Sequence, residues 1–167
     1  MNEKAKTSIG DTDSSKEDGN QPMGTPYEKD VVAWAREQAA LLRAGKLASI
    51  DIEHIAEEIE DVGKSEQREF ANRMAVLLAH LLKWQWQPER RGTSWQTTIR
   101  VQRAAIGRRL RKTPSLKPML HDEDWISDMW GDARQQAAKE MKIGMAMLPE
   151  NCPWSMTDAL SESFFPD

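Results

Sequence analysis

The chain has 167 residues, 30% of them charged, yet its formal net charge is only −4. That length suits one domain with a real core, and so even a balance singles out neither nucleic acid nor a membrane surface as partner. The single cysteine, Cys152, excludes an intramolecular disulfide and a cysteine-based zinc site, and no stretch is long and apolar enough to span a bilayer.

Residues 1–24 contain no aromatic side chain and, after Met1, only Ile9 and Met23 as larger aliphatic ones. Such a segment cannot bury enough apolar surface to offset its ordering entropy, so it is expected to be a disordered tail before a single helical domain over residues 25–167. Its polar start lacks the pattern of a secretory signal, and a cytoplasmic protein is expected. Thr25, Pro26 and Glu28 read as a capping box that opens a first helix through "YEKDVVAWAREQAALLRAG". Val31, Trp34, Ala35, Gln38 and Leu42 fall on one face, and Gly45 is placed to stop the helix.

Asp51 is positioned to cap a second helix whose apolar stripe is Ile52, Ile55, Ile59 and Val62. The periodicity resumes in phase at Phe70, Met74, Leu77 and Leu81, so Gly63 is either a bend in one long helix or a break between two. "MAVLLAHLL", residues 74–82, is apolar on nearly every side and predicts the central helix, which Pro88 ends. Thr93 or Ser94 is expected to cap the next, with Trp95, Ile99, Ile106 and Leu110 inward and Pro114 closing it. "DEDWISDMWGDARQQAAKEMKIG" predicts a last long helix, and the stretch after it an extended segment carrying one short helix. No run alternates with period two, so the class is all-α: a compact bundle of about five helices around a central apolar one.

Charge falls in blocks. Residues 50–69 hold eight acids, and residues 83–112 hold nine bases against Glu89 alone. On a helical wheel Arg100, Arg108 and Arg111 oppose the apolar stripe of helix 95–112 while Arg103 flanks it. Such a face suits a phosphate backbone, but solvation or pairing with the acidic block of the same fold accounts for it better. Glu57, Glu58 and Asp61 resemble half of the magnesium site of all-α nucleotide pyrophosphohydrolases. That chemistry needs a second acidic pair, and the following segment offers only Glu66 and Glu69, so a solvated acidic face is favoured. His54 and Glu57 stand in the reverse of the Glu-x-x-His order of carboxylate-bridged metal pairs, so no metal or other cofactor is expected. Cys152 has no activating base nearby in sequence and reads as a buried or idle thiol.

The stretch "HLLKWQWQPERRGTSW", residues 80–95, reads as a corner between helices. Arg90 and Arg91 lie near the carbonyl end of the preceding helix, where positive charge is worth about 0.3–1 kcal/mol, and Trp95 can pack back near Trp84. His80 sits at the edge of the apolar arc, where a histidine usually satisfies a carbonyl or bridges an interhelical seam; catalysis would need an orienting acid. His80, Arg90, Arg91 and Trp95 are the first choice should a pocket form there.

"SIDIEHIAEEIEDVGKSE", "LLAHLLKWQWQPERRGTSWQTTIRVQR", "TPSLKPML" and "CPW", in that order, resemble the bacterial domain-of-unknown-function family twenty-nine over roughly residues 27–166. The resemblance implies a small all-helical domain and no established activity. Where the family pattern has a small hydroxyl residue after the Arg pair, this chain has Gly92. The expectation is therefore a binding or interaction module rather than an enzyme, with an unknown protein or a second copy as partner. Nucleic acid held by helix 95–112 is the alternative, and magnesium-dependent phosphate chemistry at Glu57, Glu58 and Asp61 ranks third.

Overall fold

A computed structural model describes residues 24–167. These form five α-helices, α1 (Val31–Arg43), α2 (Ile52–Trp86), α3 (Thr93–Lys112), α4 (Glu123–Met141) and α5 (Met156–Leu160), joined by short 3-10 turns, with no strand among the described residues. The all-α expectation holds; the predicted tail, apart from Gly24, lies outside the described residues. The chain divides into two compact units, an N-terminal one ending at Glu58 and a C-terminal one, Ile59–Asp167.

In the N-terminal unit α1 begins later than the sequence suggests. Asp30, not Thr25, is the cap: its carboxylate accepts the Val32 and Ala33 N–H groups, each at 3.0 Å. A charged acceptor for two orphan donors suits the positive end of the helix. Thr25 is engaged elsewhere, its N–H and hydroxyl donating to Glu37 at 2.7 and 2.8 Å, and Lys29 N–H closes a turn onto Pro26 O at 3.0 Å. Gly45 stops α1 as expected. At φ +67° it donates to Leu42 O at 3.1 Å while Lys46 N–H reaches Leu41 O at 3.0 Å, a pair that needs the left-handed conformation glycine adopts freely. Of the predicted inward face only Trp34 and Gln38 are buried; Val31, Ala35 and Leu42 are exposed.

Asp51 opens α2 as predicted, its carboxylate accepting the His54 N–H at 3.3 Å. The helix runs unbroken through Gly63 for 35 residues, which resolves the ambiguity in favour of one helix. The predicted apolar stripe is not buried: Ile52, Ile59 and Val62 are 67%, 68% and 67% exposed, and Ile55 is half-buried. The reason is that Asp51, His54 and Glu58, spaced three and four apart, form the row that makes contacts inside the N-terminal unit. Ile52 and Ile59 project from a different side of the helix.

The C-terminal unit holds the apolar core. Phe70, Met74, Leu77, Leu78, Leu81 and Leu82 of α2 are buried together with Ile99 and Ile106 of α3. Trp130, Ala133 and Ala137 of α4 and Met156 and Ala159 of α5 belong to the same cluster. Segment 74–82 is thus the central helix the sequence predicts, each large side chain contributing about 1.5–3 kcal/mol by leaving water. α2 stops at Trp86 ahead of Pro88, and α3 stops at Lys112 ahead of Pro114. The cap of α3 is Gly92 rather than Thr93 or Ser94, both of which lie inside its first turn; Gly92 O accepts the Gln96 N–H at 3.1 Å. Asp122 caps α4 through the Trp125 N–H at 3.0 Å.

Candidate functional site

The last turns of α2 carry His80, Lys83 and Trp84. Lys83 is only 4% exposed, and its ammonium pairs with Glu140 of α4, reaches His80 Nε2 at 3.3 Å and lies 5.1 Å from the centre of the Trp95 ring. His80 Nδ1 is 2.8 Å from Val76 O, which can only accept, so Nδ1 carries the proton and Nε2 accepts from Lys83. Burial pushes the His80 pKa below its ordinary value, and the Lys83 charge adds to that effect. Burial pulls Glu140 upward, but hydrogen bonds from Lys83 and Gln136 outweigh it and hold the carboxyl below its ordinary value. The acid a catalytic His80 would need is therefore present, but it serves Lys83. The group is a satisfied polar seam between α2 and α4.

Arg91 meets the corner expectation: its Nε donates to Trp84 O at 2.7 Å, its guanidinium lies 5.4 Å from the Trp84 ring, and Nη2 reaches Pro166 O at 3.4 Å. Arg90 is exposed at the end of the 3-10 turn Pro88–Arg90. Arg103 is buried and holds the C-terminal segment, donating to Ala159 O at 2.9 Å, Glu162 O at 3.4 Å and Phe164 O at 2.6 Å. Desolvation lowers its pKa from the usual guanidinium value. Arg100, Arg108 and Arg111 are exposed, and no ion pair among the described residues involves them. The residues singled out from sequence thus fall into a seam (His80, Trp95), a corner (Arg90, Arg91), a clamp (Arg103) and a solvated face (Arg100, Arg108, Arg111), not one site.

A cluster that sequence reasoning missed lies in the N-terminal unit. The Asp51 carboxylate is 2.7 Å from His54 Nδ1 and 3.2 Å from Trp34 Nε1, and the Asp51 N–H donates to Gln38 Oε1 at 2.9 Å. Tyr27 stacks on the His54 ring at 4.4 Å and donates its hydroxyl to Glu58. Burial alone would raise the Asp51 pKa; the His54 and Trp34 hydrogen bonds outweigh it and lower it. The bond to Asp51 raises the His54 pKa, and Glu28, 3.6 Å from Nε2, adds to the rise. With Asp51 at Nδ1 and Glu28 beyond Nε2, the surroundings favour the protonated form of this imidazole. Its sequence signal is Asp51-x-x-His54, a helix cap followed three residues later by a histidine.

Glu57 and Asp61 are exposed, Asp61 lies 3.2 Å from Lys64 and Glu58 is bonded to Tyr27. Among the described residues no group of three or more His, Cys, Asp or Glu side chains could hold a metal ion. A cavity of about 680 Å³ in the C-terminal unit is lined by Cys152, His121, Glu123, Trp130 and Trp154 among others. Burial pushes the Cys152 thiol above its ordinary pKa, and Sγ donates to Trp154 O at 3.3 Å.

Among the described residues no helix is long and apolar enough to cross a membrane. Neither the curated proteins nor the solved structures searched contain a match to the chain. The family model for the domain of unknown function DUF29 matches residues 26–165, nearly the whole described chain, and the resemblance carried by the four sequence stretches in their order is thereby established. The chain belongs to the DUF29 family.

Proposed function

We propose that this chain is a protein-interaction module without catalysis of its own, and that it associates with a second copy of itself. The outward stripe of α2 carries the reading. Ile52, Ile59 and Val62 are two-thirds exposed and, with Ile55, repeat at the three-four-three spacing of a helix–helix seam. α1 supplies a shallow groove of about 580 Å³ lined by Val31, Val32, Ala35 and Ala39 and flanked by Arg36 and Arg43. Residues 51–61 carry six acids and no Lys or Arg, so the acid-flanked stripe of one copy matches the base-flanked groove of another in both polarity and charge.

Light scattering of the full chain over a range of concentrations tests this. The expected mass exceeds that of one chain, is unaffected by nuclease, and falls to one chain in Ile59→Glu/Val62→Glu. A single-chain mass at every concentration contradicts the reading.

A second reading, nucleic-acid contact through Arg100, Arg108 and Arg111, is supported by their exposure without ion pairs. It expects binding that weakens steeply with salt and is lost when the three are changed to Glu. Absent or salt-independent binding to DNA and RNA contradicts it.

A further inference from the structure

The C-terminal unit carries a cleft of about 320 Å³ lined by Glu66 and Arg73 of α2 and by Ala105, Arg108, Arg109 and Lys112 of α3. Two of its cations are held in place. Arg73 pairs with Glu69 at 2.8 Å and reaches Gln102 Oε1 at 3.4 Å; Arg109 bonds Glu66 and approaches Glu69 at 3.7 Å. Arg108 and Lys112, four residues apart on α3 and exposed, enter no ion pair among the described residues.

Four cationic side chains therefore share one concavity with the Glu66 carboxylate, Glu69 pairs with two of them from beside it, and a positive excess remains at Arg108 and Lys112. Ala105 is its one residue with an apolar side chain, and the other walls are charged side chains whose heads meet the cleft. The cleft lies toward the carboxyl end of α3, where the backbone offers an anion nothing, and attraction must come from the side chains. Guanidinium groups already fixed by glutamates present their remaining N–H donors at little entropic cost, in the fork geometry that suits phosphate oxygens.

We propose that this cleft binds a multiply charged phosphate group, of the diphosphate kind, carried by a small ligand. With Arg73 and Arg109 answered by Glu69 and Glu66, Arg108 and Lys112 are the two cations left over, which match a doubly charged group better than a lone carboxylate. The site is independent of self-association, since none of its residues belongs to the α1 groove or the α2 stripe. It shares Arg108 with the nucleic-acid reading, which would draw in addition on Arg100 and Arg111 outside the cleft.

Calorimetric titration of the full chain with inorganic pyrophosphate at low salt tests the proposal. The expected result is saturable binding at one site per chain. It weakens at least about tenfold in Arg108→Ala/Lys112→Ala and is unchanged in Arg100→Ala/Arg111→Ala. All four positions are exposed, so both variants are expected to keep the helical circular dichroism of the parent. No saturable binding up to about 10 mM pyrophosphate, or equal loss in the two variants, would overturn the proposal. So would a short DNA duplex that binds more tightly than pyrophosphate and depends on Arg100 and Arg111.

Discussion

The C-terminal unit removes Phe70, Met74, Leu77, Leu78, Leu81 and Leu82 from water along one helix, whereas the N-terminal unit buries Trp34 and Gln38 and gathers hydrogen bonds around Asp51. A buried large apolar side chain contributes about 1.5–3 kcal/mol, an intramolecular hydrogen bond a net of about 0.5–1.5 kcal/mol. The N-terminal unit is therefore the one expected to open first, as a sub-global event beneath global unfolding. The same contrast bears on function. Val31, Val32 and Ile52 of the N-terminal unit stand on the surface, where they are available to a partner, and so does Ile59 at the very start of the C-terminal unit.

Leu78→Ala should sharpen the comparison most, with a loss of about 2–5 kcal/mol in denaturant-measured stability, because it opens a cavity in the buried centre of α2. A loss well under that range would mean the core is less committed than its burial implies. Next comes Arg103→Leu, expected to cost about 1–3 kcal/mol and to expose the C-terminal segment to proteolysis, since the carbonyls of Ala159, Glu162 and Phe164 lose their donor. Unchanged proteolysis after residue 156 would show that the segment is held without the clamp.

Asp51→Ala should destabilise the N-terminal unit by about 1–2 kcal/mol, through loss of the α2 cap and the Trp34 bond. Hydrogen exchange should speed up in α1 and stay unchanged at Leu77–Leu82, and the His54 pKa should fall toward 6.5. Equal acceleration in both regions would break the distinction.

The smallest effect is in pH dependence, where the two histidines move apart. The folded pKa of His54 is raised above 6.5, so its contribution is complete below 6.5 and lost as pH rises through the raised value. The folded pKa of Asp51 is lowered below 3.8, so its contribution is complete above 3.8 and lost as pH falls through the lowered value. The Thr25 hydrogen bonds likewise lower Glu37 of α1 below 4.5, so protection of α1 should be greatest between pH 4.5 and 6.5. His80 has the opposite sign: burial keeps it neutral, and its contribution, present above 6.5, is lost as pH falls through its lowered pKa. An NMR titration placing both histidines on the same side of 6.5 would refute this contrast.

Period and punctuation made most of the helices legible. The apolar run at 74–82 and the stops at Gly45, Pro88 and Pro114 are local, and the structure keeps them. What was not legible depends on distant partners. A wheel shows that Ile52, Ile59 and Val62 share a side, but not whether anything covers them, and here the polar Asp51–His54–Glu58 row faces the unit instead. Arg103 sits at the flank of its helix on a wheel, yet carbonyls 56 to 61 residues away bury it. Lys83 is likewise buried by Glu140, 57 residues on. Thr25 and Asp30 are both capping residues, and the choice fell to Asp30 because Glu37, twelve residues after Thr25, takes the threonine hydroxyl. Of the corner, the Arg91 bond to the end of α2 was readable from charge and position; the Lys83–Glu140 pair beneath it was not.

Hydrogen exchange of the full chain at a low and a high protein concentration tests most directly whether the sparsely cored region is the contact surface. The account predicts that amides of residues 31–62 exchange more slowly at high concentration while those of 70–82 do not change. Concentration-independent exchange across residues 31–62 would contradict it.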